Sequence, residues 1–248
     1  MLIISHISKT FNKSKATEVK ALNNITITIN KADFVVIVGS NGSGKSTFLN
    51  SIAGDFLIDE GKILIDENDV SKLQDYQRAK WLSRVFQNPL QGTAPDLSII
   101  DNFRLAALRT QQKSIRVGTS NNFIKKVKNT IATLNMGLED KITQPIGSLS
   151  GGQRQALTLL MSVMDDSKML LLDEPTAALD PKSAATVMLA ADRLINQLNL
   201  TAILVTHNLK EATTYGNRII QMSEGAIVKD LNKDKKEKLS ANDVFEWF

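Results

Sequence analysis

The sequence predicts an α/β fold: a mostly parallel sheet covered by helices on both sides, with an inserted helical lobe and short strands at the start. Three observations predict it. Residues 34–38 (FVVIV), 169–172 (MLLL) and 202–205 (AILV) are continuous apolar runs, the pattern of strands buried on both faces. A helical stretch over 181–198 separates the last two, and this alternation of buried strand and helix is that of a parallel sheet. From about residue 87 to 162 strand patterns vanish and helical segments with polar linkers take over, which marks an inserted lobe over about residues 88–162.

The elements follow in order. Residues 1–35 read as short strands, and 25–29 (ITITI) alternates as a half-buried antiparallel strand does. Residues 45–52 read as a helix. GKILIDENDV, from Gly61, reads as a strand and a turn. Residues 71–82 read as a helix, with Ser71 as its N-cap and Gln74 at capping-box spacing. Residues 109–122 are polar and read as loop, and residues 233–238 as a solvated, lysine-rich tail. His6 reads as structural. The 248 residues suffice for one large domain with an inserted lobe, and no apolar run approaches the ~18 residues that cross a bilayer. The apolar start is too short for a signal peptide. The absence of cysteine excludes disulfides and thiolate metal sites. A net charge of +4, from 30 basic and 26 acidic residues, gives little pull toward nucleic acid.

Two runs carry the chemistry. The first is GSNGSGKST over 39–47: Gly39, Ser40, Asn41, Gly42, Ser43, Gly44, Lys45, Ser46 and Thr47. Its glycines let the backbone turn N–H groups inward, and a helix start follows, so the run is a cradle for nucleotide phosphates. Lys45 is placed for the β and γ phosphates and the Ser46 hydroxyl for Mg²⁺. The motif alone leaves small kinases, GTPases and transport ATPases open. Asp173 and Glu174 end a buried strand, where open sheets bind ligands. Asp173 is a candidate for Mg²⁺, through water, and Glu174 for the general base on the attacking water. By themselves the two acids could merely end a strand before Pro175. Gln87 and His207 also sit at strand ends; the first could touch metal and water, the second the γ phosphate. His207 could equally be a helix-entry residue, with Thr206 as the cap.

The second run is LSGGQ over 149–153. Ser150 is a good N-cap, and Gly151, Gly152 and Gln153 open a helix whose free N–H groups suit an anion. The run has no evident use to the cradle of its own chain. Asp180 before Pro181 is sound helix-start chemistry by itself.

Phosphate loop, Gln87, LSGGQ, LLLDEP, ALD and His207 occur in that order, and the set resembles the ATP-binding subunit of an ABC transporter over nearly the whole chain. The resemblance implies a P-loop NTPase (RecA-like) core with an inserted helical subdomain and an N-terminal antiparallel β-subdomain. It implies ATP as substrate with Mg²⁺, and two nucleotides held head-to-tail, each between one cradle and the partner's LSGGQ. Gln87 then becomes the Q-loop, Ser150, Gly151, Gly152 and Gln153 the signature acting in trans, Asp180 the D-loop and His207 the switch histidine. Phe11 falls where the family stacks adenine on an aromatic ring; by sequence alone it would be core.

One departure is the helix RQALTLLMSVM after LSGGQ, where most members carry an Ala-Arg-Ala-like stretch. With VFQNPLQGT and TAALDPKSA, it makes the chain similar to a subgroup paired with branched-chain-amino-acid-type permeases, some linked to tryptophan or other aromatic amino acids. That likeness implies a single ATPase domain over 1–248, working as a homodimer or paired subunit on the cytoplasmic face of the membrane. Its partners would be a transmembrane permease and, indirectly, an extracytoplasmic substrate-binding protein, with no nucleic acid. Only 41 residues follow His207, too few for an added regulatory domain. The rival readings are an ABC ATPase of translation or DNA repair, a small-molecule P-loop kinase, and a catalytically silent binding module.

Overall fold

Strands and helices alternate through most of the chain, of which the computed structural model describes residues 1–109, 118–239 and 241–247. In chain order the elements are β1 (Leu2–Phe11), β2 (Val19–Ile29), β3 (Phe34–Val38), α1 (Lys45–Ala53), β4 (Glu60–Ile65), β5 (Asn68–Asp69), α2 (Asp75–Arg78) and β6 (Leu82–Val85). Three helices come next, α3 (Ile99–Ala107), α4 (Asn121–Ala132) and α5 (Gly151–Ser162), with a single 3₁₀ turn at Ile146–Ser148 before the last. Then come β7 (Met169–Asp173), α6 (Pro181–Gln197), β8 (Thr201–Val205), α7 (Leu209–Thr214), β9 (Arg218–Ser223), β10 (Ala226–Leu231), α8 (Lys233–Lys236) and α9 (Ala241–Phe245).

The strands form two sheets. One is antiparallel, in the order β2-β1-β4-β5; the other has the order β10-β9-β3-β8-β7-β6, parallel except for the edge strand β10. The parallel strands are apolar throughout because both faces are covered. Val35 and Ile37 of β3 point into a core shared with Phe48, Leu49 and Ile52 of α1 and with the antiparallel sheet. Phe34, Val36 and Val38 point the other way, onto Met188 and Ala191 of α6 and Ala212 of α7. A third core joins Phe103, Val127, Ile131, Leu157 and Leu160 of α3, α4 and α5. Serines 98, 120 and 150 cap these three helices through the N3 amides.

The α/β architecture and the antiparallel N-terminal sheet are as the sequence predicts; several local readings need correction. The stretch 71–82 is not one helix. The Ser71 hydroxyl donates to Asp69 and accepts the Ile63 amide, so it cannot cap. The capping box is Gln74 with Gln77, α2 lasts one turn, and Leu82 already pairs with Met169 as β6. Within the expected loop 109–122, residues 110–117 lie outside the described residues, and Asn121 already starts α4. The tail over 233–238 is not simply solvated: Lys236 is buried, and its ammonium caps the carbonyls of Tyr215 and Gly216 at the end of α7.

Asp59 ties the start of the antiparallel sheet together. Its carboxylate accepts from the Thr10 amide at 2.8 Å and pairs with Lys9 at 3.0 Å and Lys13 at 3.1 Å. Burial pushes this carboxyl up, but the Thr10 N–H and the two ammonium groups hold it down at about 2. A depressed folded pKa gives stability that is present above the unfolded value of about 3.9 and lost as pH falls through the folded one. Asp59→Asn should therefore lower the melting midpoint at neutral pH, and the gap from the parent should close as pH falls toward about 2. Melting curves against pH check this, and a gap that persists below pH ~2 would exclude Asp59 as its source.

Candidate functional site

The C-terminal ends of β3, β7 and β8 lie side by side in the parallel sheet. From β3 the chain enters the glycine loop. Gly39 has φ 147°, and a Cβ there would lie 2.2 Å from the Met222 carbonyl oxygen; at Gly44 φ is 98° and the nearest atom, the Ala21 carbonyl oxygen, 2.6 Å. Only glycine allows the loop to pass this close to the neighbouring backbone. No side chain caps the start of α1 and its first turn holds no acid, so its amides are free for an anion. The buried Lys45 folds its ammonium back onto the carbonyls of Gly39 at 2.7 Å and Ser40 at 2.9 Å. Burial lowers its pKa, and the charge of Glu174 pulls it back up.

Asp173 ends β7. Its Oδ1 lies 3.5 Å from the Ser46 hydroxyl and its Oδ2 accepts from Arg84 at 2.7 Å. Glu174 follows in a left-handed conformation (φ 45°), with its amide bonded to the Val205 carbonyl. Its Oε2 lies 3.0 Å from His207 Nδ1. The Glu174 side chain is 17% exposed against 55% for His207, so the imidazole stands at the mouth and the carboxylate within. Thr206 does not cap α7; Asn208 does, while the Thr206 hydroxyl donates to Glu211.

A cleft of about 420 Å³ is lined by Phe11, Asn41, Gly42, Gly44, Lys45, Ser46, Thr47 and Glu174. Phe11 thus comes from the antiparallel sheet to the wall of the glycine-loop cleft and is not core. Its ring meets Phe56 edge-on at 5.2 Å, with the Lys9 ammonium 5.6 Å from its centroid. Ser43 is buried, its hydroxyl without a partner. Gln87, just beyond β6, is exposed, and its side chain bonds neither Asp173 nor Glu174. The Ser46–Asp173 pair is an oxygen donor set for a hard cation. Among the described residues no cluster of three or more His, Cys, Asp or Glu could hold a metal. Two protein oxygens suit an ion that keeps its waters and takes the rest of its shell from phosphate, as Mg²⁺ does.

Residues of the LSGGQ run are absent from this lining. Ser150 is exposed and forms a capping box with Gln153 at the start of α5. Gly152 is buried: a Cβ there would lie 2.5 Å from Ser183 Cβ, in the first turn of α6. Asp180 caps α6 through the amides of Lys182 and Ser183, and the Ser183 bonds hold its carboxyl below its ordinary value. The starts of α5 and α6, and so the LSGGQ run and Asp180, are neighbours.

Two groups at the site are not marked by the sequence reading. Gln155 is fully buried in α5, and its amide donates to the carbonyls of Phe86 and Pro175, both at 2.8 Å. An amide directly before Ala156 and Leu157 and one turn before Leu159 is the available signal. Arg84 looks, by sequence, like an ordinary strand residue. It walls a second cleft, of about 560 Å³, between the sheet and α3 and α5, beside Asp55, Tyr76, Phe86, Leu105 and Thr158. Tyr76 and Leu105 are exposed there.

Free amides at a helix start draw phosphate oxygens, and the hydroxyl–carboxylate pair beside them suits a hydrated cation. The class of protein is that of the P-loop nucleotide-hydrolysing enzymes. Residues 22–177 match the family model described as ABC transporter, so the chain belongs to that family and is an ATPase. Over its whole length it is 38% identical to 98% of the tyrosine transport ATP-binding protein of Clostridioides difficile. It is 34% identical, over 90% of its length, to the spermidine/putrescine import ATP-binding protein PotA of Bacteroides thetaiotaomicron, of which it spans 45%. A solved dimeric ATP-binding cassette, in a post-hydrolysis state with ADP and Pi, superimposes with a TM-score of 0.80 at 26% identity, covering 94% of this chain and 99% of that one. Cassettes of this family dimerise, pair with transmembrane permeases in importers, and use ATP with Mg²⁺.

The two kinds of glycine in the loop separate on mutation. Gly39→Ala meets a fixed carbonyl as well as a positive φ; Gly42→Ala, at φ 81°, has nothing within 4 Å. Gly42→Ala should cost about 1 kcal/mol of backbone strain, and Gly39→Ala about 1–3 kcal/mol more. Denaturant midpoints of the two variants check this ordering.

Proposed function

We propose that the chain is the ATP-hydrolysing subunit of an importer, lying against the cytoplasmic face of the membrane without crossing it. It works as a pair of subunits beneath a transmembrane permease, served from outside by a substrate-binding protein, and engages no nucleic acid. One observation carries the reading: the cleft around the glycine loop has a floor, a base and a cation corner, but no LSGGQ residue lines it. A second copy supplying Ser150, Gly151, Gly152 and Gln153 would complete it, with Asp180 at the same junction.

In this reading the amides of Gly39, Ser40, Asn41, Gly42, Ser43 and Gly44, with Lys45 and Thr47, hold the phosphates, and Phe11 faces the adenine. Ser46, Asp173 and Gln87 are the groups that would hold Mg²⁺, which supplies charge neutralisation and Lewis acidity at the phosphates. Glu174 accepts the proton of the attacking water. His207 holds the Glu174 carboxylate in the free protein and turns to the γ phosphate when nucleotide is bound. Lys45 leaves the carbonyls of Gly39 and Ser40 for phosphate. Gln87 reaches the site only on closure. The cleft walled by Arg84, Tyr76 and Leu105 is the surface offered to the permease. Similarity over the full chain to the tyrosine transport protein supports an aromatic amino acid as the solute carried. Restored uptake of labelled tyrosine or tryptophan, on returning the gene to cells deleted for it, would test that choice.

Glu174→Gln should keep ATP affinity and lose about 10²–10⁴-fold in hydrolysis, accumulating as a nucleotide-bound dimer. Rapid turnover by this variant would remove Glu174 from the role of base. The trans arrangement has a sharper test. Lys45→Ala and Ser150→Ala homodimers each lack an intact site, whereas a mixture forms heterodimers holding one. Activity should reappear on mixing two silent proteins; silence would refute the sharing of sites.

A further inference from the structure

Arg84 has no part in the nucleotide and metal roles above, yet it touches one of their central groups. Its side chain is 13% exposed. Nη2 donates to Asp173 Oδ2 at 2.7 Å and to Asn50 Oδ1 at 2.5 Å, and Nη1 donates to Asp55 Oδ2 at 2.6 Å. The guanidinium carbon lies 4.6 Å from the centroid of the Phe86 ring. Anchored on Asn50 at the end of α1, on Asp55 just beyond it, and on Phe86, the guanidinium has little freedom, and its planar fork fixes direction as well as distance.

Only one Asp173 oxygen is engaged by this fork. The other, Oδ1, is left facing the Ser46 hydroxyl across 3.5 Å. Asp55 neutralises the guanidinium from its far side, so the carboxylate is oriented without losing its attraction for a cation. We propose that Arg84 is a positioning residue, locking Asp173 with one oxygen turned to Ser46 as a ready half of a divalent-cation site. The inference rests on the reading of Asp173 as a metal-site carboxylate. It adds that β6 sets the rotamer, through a residue that also walls the second cleft.

The test uses the full chain with Glu174→Gln, so that nothing turns over, and a fluorescent ATP analogue titrated in EDTA and in rising Mg²⁺. Arg84→Gln should leave affinity in EDTA within about twofold of the parent. It should raise the Mg²⁺ needed for half of the metal-dependent gain about tenfold, as expected for losing a hydrogen bond to a charged group. Arg84→Lys, which keeps the charge but cannot hold Asp55 and Asp173 together, should fall between. An unchanged Mg²⁺ requirement in Arg84→Gln, or equal weakening with and without Mg²⁺, would overturn the proposal, the second result marking a merely structural residue. Asp173→Asn keeps the two failures apart. It should abolish the gain from Mg²⁺; if it does so while Arg84→Gln does not, only the role of Arg84 falls. If Asp173→Asn leaves the gain intact, the metal assignment and the inference fall together.

Discussion

The site depends on the parallel pairing of β3, β8 and β7. Ile37 lies opposite Val205, and Val205 opposite Asp173, so the three strands end at one level. The ladder also runs one bond past the strands: the Thr206 amide donates to the Ile37 carbonyl and the Glu174 amide to the Val205 carbonyl. These bonds hold Glu174 in a left-handed conformation that costs a non-glycine residue about 1 kcal/mol or more. Beneath them a buried carboxylate braces both loops. Glu211 accepts the hydroxyl protons of Thr176 at 2.5 Å and Thr206 at 2.6 Å, one on each oxygen. The glycine loop, the two acids and the histidine are therefore neighbours before any nucleotide arrives.

Charge in the free protein is arranged in interim pairs. Lys45 rests on loop carbonyls, Asp173 on Arg84, and Glu174 on His207. A charged side chain in a half-buried cleft has to be partnered. In the proposed function, a nucleotide with its cation would offer a better partner to the lysine, the free Asp173 oxygen and the histidine at once. Binding in that reading is an exchange of partners.

Much of this is legible in the sequence because strand burial and phosphate binding both leave local marks. Residues 34–38, 169–172 and 202–205 are apolar without a break, the pattern of strands covered on both faces. The spacing of Gly39, Gly44 and Lys45, set between such a strand and a helix, marks a phosphate loop. What escapes a sequence reading is set by distant partners. Leu82 opens a strand rather than ending the predicted helix because Leu82–Val85 pairs with Met169–Leu172, and β9 and β10 alternate too weakly to be named. Ser71 looks like a helix cap until Asp69 and Ile63 claim its hydroxyl. Arg84 is one of thirty basic residues, and only its three-dimensional setting distinguishes it. Lys236 likewise reads as tail, yet burial brings its pKa down to about 8.

The buried amide of Gln155 has a mechanical consequence. Two bonds of 2.8 Å fasten the middle of α5 to the carbonyl immediately ahead of Gln87 and to the one immediately after Glu174. A hydrogen bond stretched by roughly 0.5 Å has left its favourable range. The helix that begins at Ser150 therefore cannot swivel more than a fraction of an ångström at that point without towing both loops along. A tug applied at one end of the lobe is felt, through a single side chain, next to Glu174.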